Sequence, residues 1–415
     1  MVLSSGWLAL SGGKIACTVQ PVQTRSSLPE RGFFRSRVNA IRCLHFVFYN
    51  AKVKTWDVII VGGGIIGLSV SIALRKRGAT VLVVERGEPG REASHAAAGM
   101  LVDFPLETPL ALQPLATASA RMYPEFVHEL QDESGTIIDL RDHGTIFFPS
   151  VEFPSVEHRE RVNLMKNCPL PSPLAELEPA LASSLSEAKV PAIYLKERSV
   201  DPRALTSAAL KAARHRGVDV SSGTAVTAVL VSDGRVTGVS TDKTTYRAPV
   251  VVNCAGAWAG SFPPNHFPTR PVKGQMLSVA ATSRNLLRHV IRAPEIYLVP
   301  RSDGRILIGA TVEHVGYDKR TVADTIQRMH QAAIHLVPAL GQARMLEAWA
   351  GLRPGSPDNL PMLGESQTPG YFAATGHFRD GILLAPVTAY VMAQLITGIK
   401  PEYDLVPFSP GRFRT

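Results

Sequence analysis

The run Gly62-Gly63-Gly64-Ile65-Ile66-Gly67 follows a short β-rich stretch, Asp57 to Val61. It opens a segment, Ile65 to Arg77, in which Ile66, Val70, Ala73 and Leu74 recur at helical spacing until Gly78 stops it. A second apolar strand, Thr80 to Glu85, places an acid 18 residues past Gly67. Strand, glycine turn, helix and strand within about 30 residues, closed by an acid, form a dinucleotide-binding unit. Gly62 permits the tight turn, Gly64 lets a pyrophosphate approach the backbone at the helix N-terminus, and Gly67 lets helix and sheet pack closely. Glu85 can accept hydrogen bonds from both ribose hydroxyls, and its charge disfavours a 2′-phosphate. The motif leaves FAD and NAD both open. The small residues of Ala93-Ser94-His95-Ala96-Ala97-Ala98-Gly99-Met100 suit a flat ring lying against backbone, and equally suit the start of an Ala-rich helix.

The 415-residue chain fits that unit into something larger. Two or three domains are expected at this length, and 45% hydrophobic residues supply their cores. The formal charge of +9 is concentrated in residues 1–54, which carry +7. The nearly neutral body lacks the dense basic field of a nucleic-acid surface. No apolar run is long enough to span a bilayer. Four cysteines, Cys17, Cys43, Cys168 and Cys254, form no C-x-x-C pair, which speaks against a disulfide scaffold or zinc ribbon and fits a reducing compartment. His314, His330 and His335 lack ligand spacing, so no metal site is expected. No Ser/His/Asp nucleophile motif is present.

Residues 1–52 are Arg- and Ser-bearing and almost acid-free. This composition resembles an organelle transit peptide. It also describes a disordered extension or an unused upstream start, and that reading, with a cytoplasmic location, is the one preferred. Further along, Asp201-Pro202 reads as an N-cap with proline at the first helical position, opening a helix to Arg216 that Gly217 ends. Strands are expected at 218–220, 225–232, 235–241 and 250–254. Ile296 to Pro300 and Arg305 to Ala310 flank Asp303-Gly304, a hairpin signal. Helices are expected at 321–336 and 383–396.

Several further motifs resemble one family. They are Pro271-Val272-Lys273-Gly274-Gln275, Tyr297-Leu298-Val299-Pro300-Arg301 and Gly309-Ala310-Thr311, then Trp349 to Gly355 (WAGLRPG) and Gly376 to Pro386 (GHFRDGILLAP). With the glycine fingerprint, Glu85-Arg86 and Ser94 to Leu101, they make residues 55–400 similar to the D-amino-acid-oxidase-like flavoenzymes, and within them most similar to the glycine oxidases of the thiamine pathway. The resemblance implies an α/β fold, with a Rossmann-like FAD-binding domain interleaved with a substrate domain built on an antiparallel sheet with helices. The implied division is a leader at 1–52, FAD-binding parts at 53–134, 196–269 and 351–400, substrate parts at 135–195 and 270–350, and a tail at 401–415. It implies non-covalent FAD, a small amino-acid substrate, molecular oxygen as acceptor, and a homo-oligomer, a tetramer. The implied reaction is oxidative deamination of glycine, other small amines or D-amino acids to the imine or glyoxylate with ammonia and hydrogen peroxide, feeding thiazole formation.

Position by position, the resemblance puts Ile65 and Ile66 at the pyrophosphate and Glu85 and Arg86 at the adenosine ribose. Ala93, Ser94, Ala98, Gly99 and Met100 line the path to the flavin, with Met100 also facing substrate. Val226 holds the adenine through its backbone. His377, Phe378, Arg379, Asp380, Gly381, Ile382 and Leu383 wrap the isoalloxazine. Arg353 binds the substrate carboxylate, Arg379 lies beside it and Tyr297 closes the pocket. Asp380 departs from the Asn associated with the family, and His95 sits where the family varies.

The residues also carry readings of their own. Arg353, in Gly-Leu-Arg-Pro-Gly, can clamp a carboxylate with two parallel hydrogen bonds, or serve as a structural partner of Asp358. Arg379 lies at a glycine-bracketed loop end, a usual ligand position, or makes a surface ion pair. Tyr297 can bond the carboxylate or simply pack. Cys254, Trp258 and Trp349 read as core. The rival functions are a D-amino-acid or sarcosine-type oxidase or dehydrogenase, a flavin-binding protein without turnover, and an NAD-dependent dehydrogenase.

Overall fold

A computed structural model describes residues 54–104, 108–149, 167–182, 192–264 and 266–413. The expectations for the leader fall outside these residues. Residues 53–415 form one compact unit.

Its first sheet is built on strands β1 (Val58–Val61) and β2 (Val81–Val84), each buried on both faces. That is the signature of a sheet covered on two sides. They lie parallel to each other, with β8 (Asp219–Ser221) beyond β2 and β12 (Val250–Asn253) beyond β1. β19 (Tyr371–Thr375) continues the parallel set, and β18 (Met362–Glu365) closes it antiparallel. Side-chain alternation splits the core. Val58, Ile60, Val81 and Val83 pack with the helices, while Ile59, Val61, Leu82 and Val84 pack under the small sheet of β9 (Val226–Ser232), β10 (Arg235–Thr241) and β11 (Thr245–Arg247). The helices are α1 (Ile65–Lys76), α2 (Ala93–Ala96), α3 (Gln113–Ser134), α4 (Leu174–Leu177), α5 (Pro202–His215), α6 (Ala323–Leu336) and α7 (Ala385–Ile396). Asp201 caps α5 as the sequence predicts, accepting from the N–H groups of Arg203 at 2.9 Å and Ala204 at 3.3 Å.

α3 has no counterpart in the sequence reading. Its buried stripe, Leu115, Ser119, Tyr123, Val127 and Leu130, is diluted by small residues and crossed by Pro124. A proline inside a helix orphans the carbonyl four residues back. Here that carbonyl, of Ala120, accepts from Arg198 Nη1 at 3.2 Å. The helix matters to the site: Tyr123 and Ser119 donate, each at 2.6 Å, to the carbonyls of Ile382 and Leu383 and so fix the loop ahead of α7.

The second sheet has seven strands in the order β17 (Arg344–Gly355), β13 (Arg270–Ala280), β16 (Arg305–Gly309), β15 (Tyr297–Pro300), β14 (Val290–Arg292), β5 (Thr145–Phe147) and β6 (Ile193–Leu195). It is antiparallel except for the β5–β14 pair. β15 and β16 form the expected hairpin, turned at Gly304 with φ 90°. One face packs on α6 through Leu277, Val279, Ile308, Ile326 and Met329. Short strands β3 (Met100–Leu101), β4 (Leu140–Arg141) and β7 (Arg198–Val200) make a further three-stranded sheet. Among the described residues no helix is long and apolar enough to cross a membrane, and no group of three or more His, Cys, Asp or Glu could hold a metal ion.

Gly67 sits where α1 crosses β1. A Cβ there would collide with the Gly62 carbonyl oxygen and come within 3.1 Å of Ile60 Cγ2. Gly67→Ala is expected to cost about 1–3 kcal/mol, the usual penalty of overpacking, read as a lower denaturation midpoint.

Candidate active site

The carboxyl ends of β1, β2, β12 and β19 and one face of the second sheet look into one cavity of about 700 Å³. Its first wall is the fingerprint turn. Gly62 has φ +108° and its Cβ would sit 2.5 Å from the Cys254 carbonyl oxygen, so no other residue fits. Gly64 is different. Its φ of −75° suits any residue, and the nearest atom a Cβ would meet is Ser94 Oγ at 3.3 Å. Neither conformation nor dense packing demands glycine here; close approach of a ligand to the backbone does. Ile65 and Ile66 follow at the cavity wall. The N–H groups of a first helical turn lack intrahelical acceptors and favour an anion; that of Ile65 donates to Ser94 Oγ at 3.0 Å.

Glu85 ends β2 with both carboxylate oxygens fixed. Oε2 accepts from Gly63 N at 2.7 Å and Oε1 from Gly87 N at 2.9 Å. Lone pairs remain for two hydroxyl donors. Arg86 stacks over Trp258, 3.5 Å from the ring centroid, and bonds Glu92 at 2.8 Å. Trp258 in turn stacks on Tyr317 and lines the cavity. It is therefore a wall of the site, not the core residue the sequence suggests. Val226 lines the same end.

The second wall is the segment 93–100, which opens as the short helix α2, as the helix-start reading of its small residues expects, and lines the cavity. Its carbonyls are held from outside: His95 by Arg203 Nε at 3.3 Å, Ala96 by Trp349 Nε1 at 3.1 Å, Ala98 by Arg301 Nη2, and Gly99 by Val200 N at 2.8 Å. Arg301 is almost wholly buried, which pushes its pKa down to about 10. Trp349 too is more than core, since it braces this wall.

The third wall is a single row across the second sheet. Phe147, Arg292, Tyr297, Gly309, Met276 and Trp349 are successive register partners, and all but Trp349 line the cavity. Arg353 lies four residues beyond Trp349, on the same face. Its Nη1 donates to the carbonyls of Thr311 at 3.0 Å and Lys273 at 3.3 Å. The Tyr297 side chain is a further hydrogen-bond partner of the guanidinium, and the Nη2 and Nε donors are not spent on these two carbonyls. Asp358 pairs with Arg412 at 2.8 Å, so the structural partnership weighed for Arg353 is not made. Burial, followed by the Arg379 charge, lowers the Arg353 pKa, with Tyr297 and Glu313 opposing. Burial raises that of Tyr297.

The last wall is the loop before α7, from His377 to Ile382. Arg379 is exposed and stacks over Phe378 at 5.3 Å. Asp380 and Gly381 line the cavity beside it. His377 is buried, bonded to Thr388 Oγ1 at 3.1 Å, and burial pushes its pKa down to about 3, so it is neutral. Two expected residues lie elsewhere: Gly67 serves helix packing, and Leu383 is in the helical core, where its carbonyl accepts from Ser119.

The cradle at Gly64, the anchored acid at Glu85 and the volume of the cavity fit a dinucleotide carrying a flat ring. Residues 57–395 match the FAD dependent oxidoreductase family. The chain belongs to that family. Its cofactor is FAD. It is 34% identical to the glycine oxidase of Geobacillus kaustophilus over 371 residues, covering 86% of this chain and 97% of that one. The crystal structure of glycine oxidase from the same organism superposes with a TM-score of 0.80 at 32% identity, covering 87% of this chain and all of that one. It is also 37% identical to the bifunctional protein ThiO/ThiG of Trichormus variabilis over 372 residues, covering 87% of this chain. The chain spans about half the length of such bifunctional relatives, 55% in that case.

Sequence reasoning missed Gly274, Gly309, Arg292 and Met276. A Cβ on Gly274 would stand 2.6 Å from the Arg353 guanidinium carbon, and one on Gly309 would stand 2.8 Å from the Tyr297 ring. Period-two alternation along β13 could have flagged Gly274 and Met276 as sharing a face.

Two outcomes follow from this geometry. Gly274→Ala meets the end of a flexible side chain, so it should fold and retain FAD while displacing the guanidinium, lowering kcat/KM by up to about 100-fold. His377 is neutral in the folded protein down to about pH 3, whereas an unfolded histidine protonates near pH 6.5. Below that pH the unfolded chain gains a proton that the native state does not. Stability therefore falls as pH drops from 6.5 toward 3, by at most about 1.4 kcal/mol per pH unit for one group. Urea midpoints at pH 7.5 and 5 should differ less in His377→Gln than in the wild type.

Proposed function

We propose that the protein oxidises glycine and similarly small primary or secondary amines bearing a carboxylate, with molecular oxygen as acceptor. The observation that carries this reading is the Arg353 guanidinium, held through Nη1 by two carbonyls in the wall of the FAD cavity and hydrogen-bonded to Tyr297 beside it. One cavity must take both dinucleotide and substrate, which favours a small substrate. The names of the relatives, glycine oxidase among them, support the choice of glycine.

In this reading Arg353 accepts the carboxylate in a bidentate pair, strong because the site is poor in water. Tyr297, kept neutral by burial, donates its phenol hydrogen to the same carboxylate. Arg379 adds charge from the mouth. Bound FAD supplies the acceptor for two electrons from the substrate Cα–H and delivers them to oxygen. The wall residues fix the α-carbon and amine, and the imine released is hydrolysed to glyoxylate and ammonia, or used directly in thiazole formation. No basic side chain is required if the amine reacts in its neutral form. The interleaved domain division, a tetrameric assembly and a cytoplasmic location belong to the same proposal.

Glycine should bleach the yellow protein anaerobically, and peroxide should appear on admitting air. Arg353→Ala should lose roughly 10- to 150-fold in kcat/KM for glycine, the value of a charge-assisted pair worth about 1.5–3 kcal/mol. Its FAD content should be unchanged, and an amine without a carboxylate should lose much less. Near-wild-type kcat/KM would move the clamp to Arg379.

A further inference from the structure

Behind Arg353, away from the cavity, lies a closed polar network. Lys273 and Glu313 form an isolated antiparallel bridge, with each backbone N–H bonded to the other's carbonyl at 2.9 Å. The Lys273 side chain is buried, and its Nζ is 3.3 Å from Glu313 Oε2. Glu313 Oε1 accepts from Gln275 Nε2 at 2.8 Å and from the Thr311 hydroxyl. Gln275 N donates to Thr311 Oγ1 at 2.9 Å, and Gln275 Oε1 accepts from Val322 N at 2.7 Å. Lys273 and Thr311, whose carbonyls hold Arg353, are thus the residues that the Glu313 carboxylate ties together. Glu313 itself does not line the cavity.

We infer that Glu313 is the positioning residue of the carboxylate clamp: it fixes the two carbonyls that aim the Arg353 guanidinium. The inference rests on the reading of Arg353 given above. Burial would raise the Glu313 pKa, but bonds from Thr311, Gln275 and Lys273 outweigh it and hold the carboxyl below its usual range. The hub is therefore an anion at working pH. Removing it leaves the Lys273 ammonium buried and unpaired, which is costly. That charge is relieved by loss of the Lys273 proton or by a shift of the strand that carries one of the two carbonyls, and the second moves Arg353.

The test is a double-mutant cycle on the FAD-loaded protein, reading KM and kcat for glycine and the dissociation constant of acetate from the flavin spectrum. Glu313→Ala should raise KM and the acetate constant by about tenfold, within the range of directly coupled pairs, with kcat falling less. Glu313→Gln, which keeps an acceptor for Thr311 and Gln275, should recover part of that loss. In the Arg353→Ala background, Glu313→Ala should change kcat/KM by less than about twofold. Wild-type KM in Glu313→Ala, or losses that simply add in the double variant, overturns the inference. An Arg353→Ala protein with unaltered KM instead overturns the clamp. If Glu313→Ala fails to hold FAD, Thr311→Val keeps the charge pair while cutting one tie. It should raise KM with FAD content intact, and an unchanged KM there counts against Glu313.

Discussion

The register of β13 against β17 is the constraint on which the site depends. Eleven residues of β13 pair along β17, with β16 on its other edge. Side chains alternate with a period of two, so a slip of β13 by one residue would carry Gly274 and Met276 toward the α6 core and bring Lys273 and Leu277 to the cavity. The Lys273–Glu313 bridge and the Gly274–Gly351 pairing both resist such a slip. The first supplies a buried ion pair on one face. The second leaves backbone-to-wall clearance on the other, where a Cβ on Gly351 would strike Ala96.

The cofactor end depends on the same sheet at a distance. The flavin-side wall, 95–99, is held by donors from Arg203, Trp349, Arg301 and Val200. Two of these, Trp349 and Arg301, belong to the second sheet or its hairpin. The loop ahead of α7 is held in turn by α3, through Tyr123 and Ser119. Each wall has turn bonds of its own, such as Asp380 N to the His377 carbonyl at 2.8 Å and His95 N to the Glu92 carbonyl at 3.0 Å, and is tied further from outside. The outer ties come from elements distant in sequence, so the cavity is complete only when the unit is assembled.

This explains what the sequence makes legible. The fingerprint, Glu85, the α5 cap and the Asp303-Gly304 hairpin are local: a few adjacent residues specify each, and their structures follow the expectation within a residue or two. α3 escapes because small residues and Pro124 blur its stripe, and its proline is tolerated only through Arg198, which no local pattern reveals. Trp258 reads as core because its partners, Arg86 and Tyr317, come from opposite sides of the chain. Gly274 and Gly309 are invisible until register shows which side chains they must clear. Leu383 was carried along with its motif, although the cavity ends one residue earlier.

The electrostatics of the cavity follow from the same assembly. Three of its titratable wall groups fall into two classes. His377 and Tyr297 are desolvated and neutral, with pKa values displaced away from neutrality in opposite senses. Arg353 is lowered by burial, but a guanidinium begins so high that it stays charged. Neither class changes protonation between about pH 5 and 8. On the proposed reading, Arg353 offers a carboxylate a positive charge that does not vary in that range, and the pH dependence of turnover falls on the substrate's own ammonium. Orientation is left as the protein's main lever, which is why a hydrogen-bonded carboxylate outside the cavity, Glu313, has a route to influence what happens inside it.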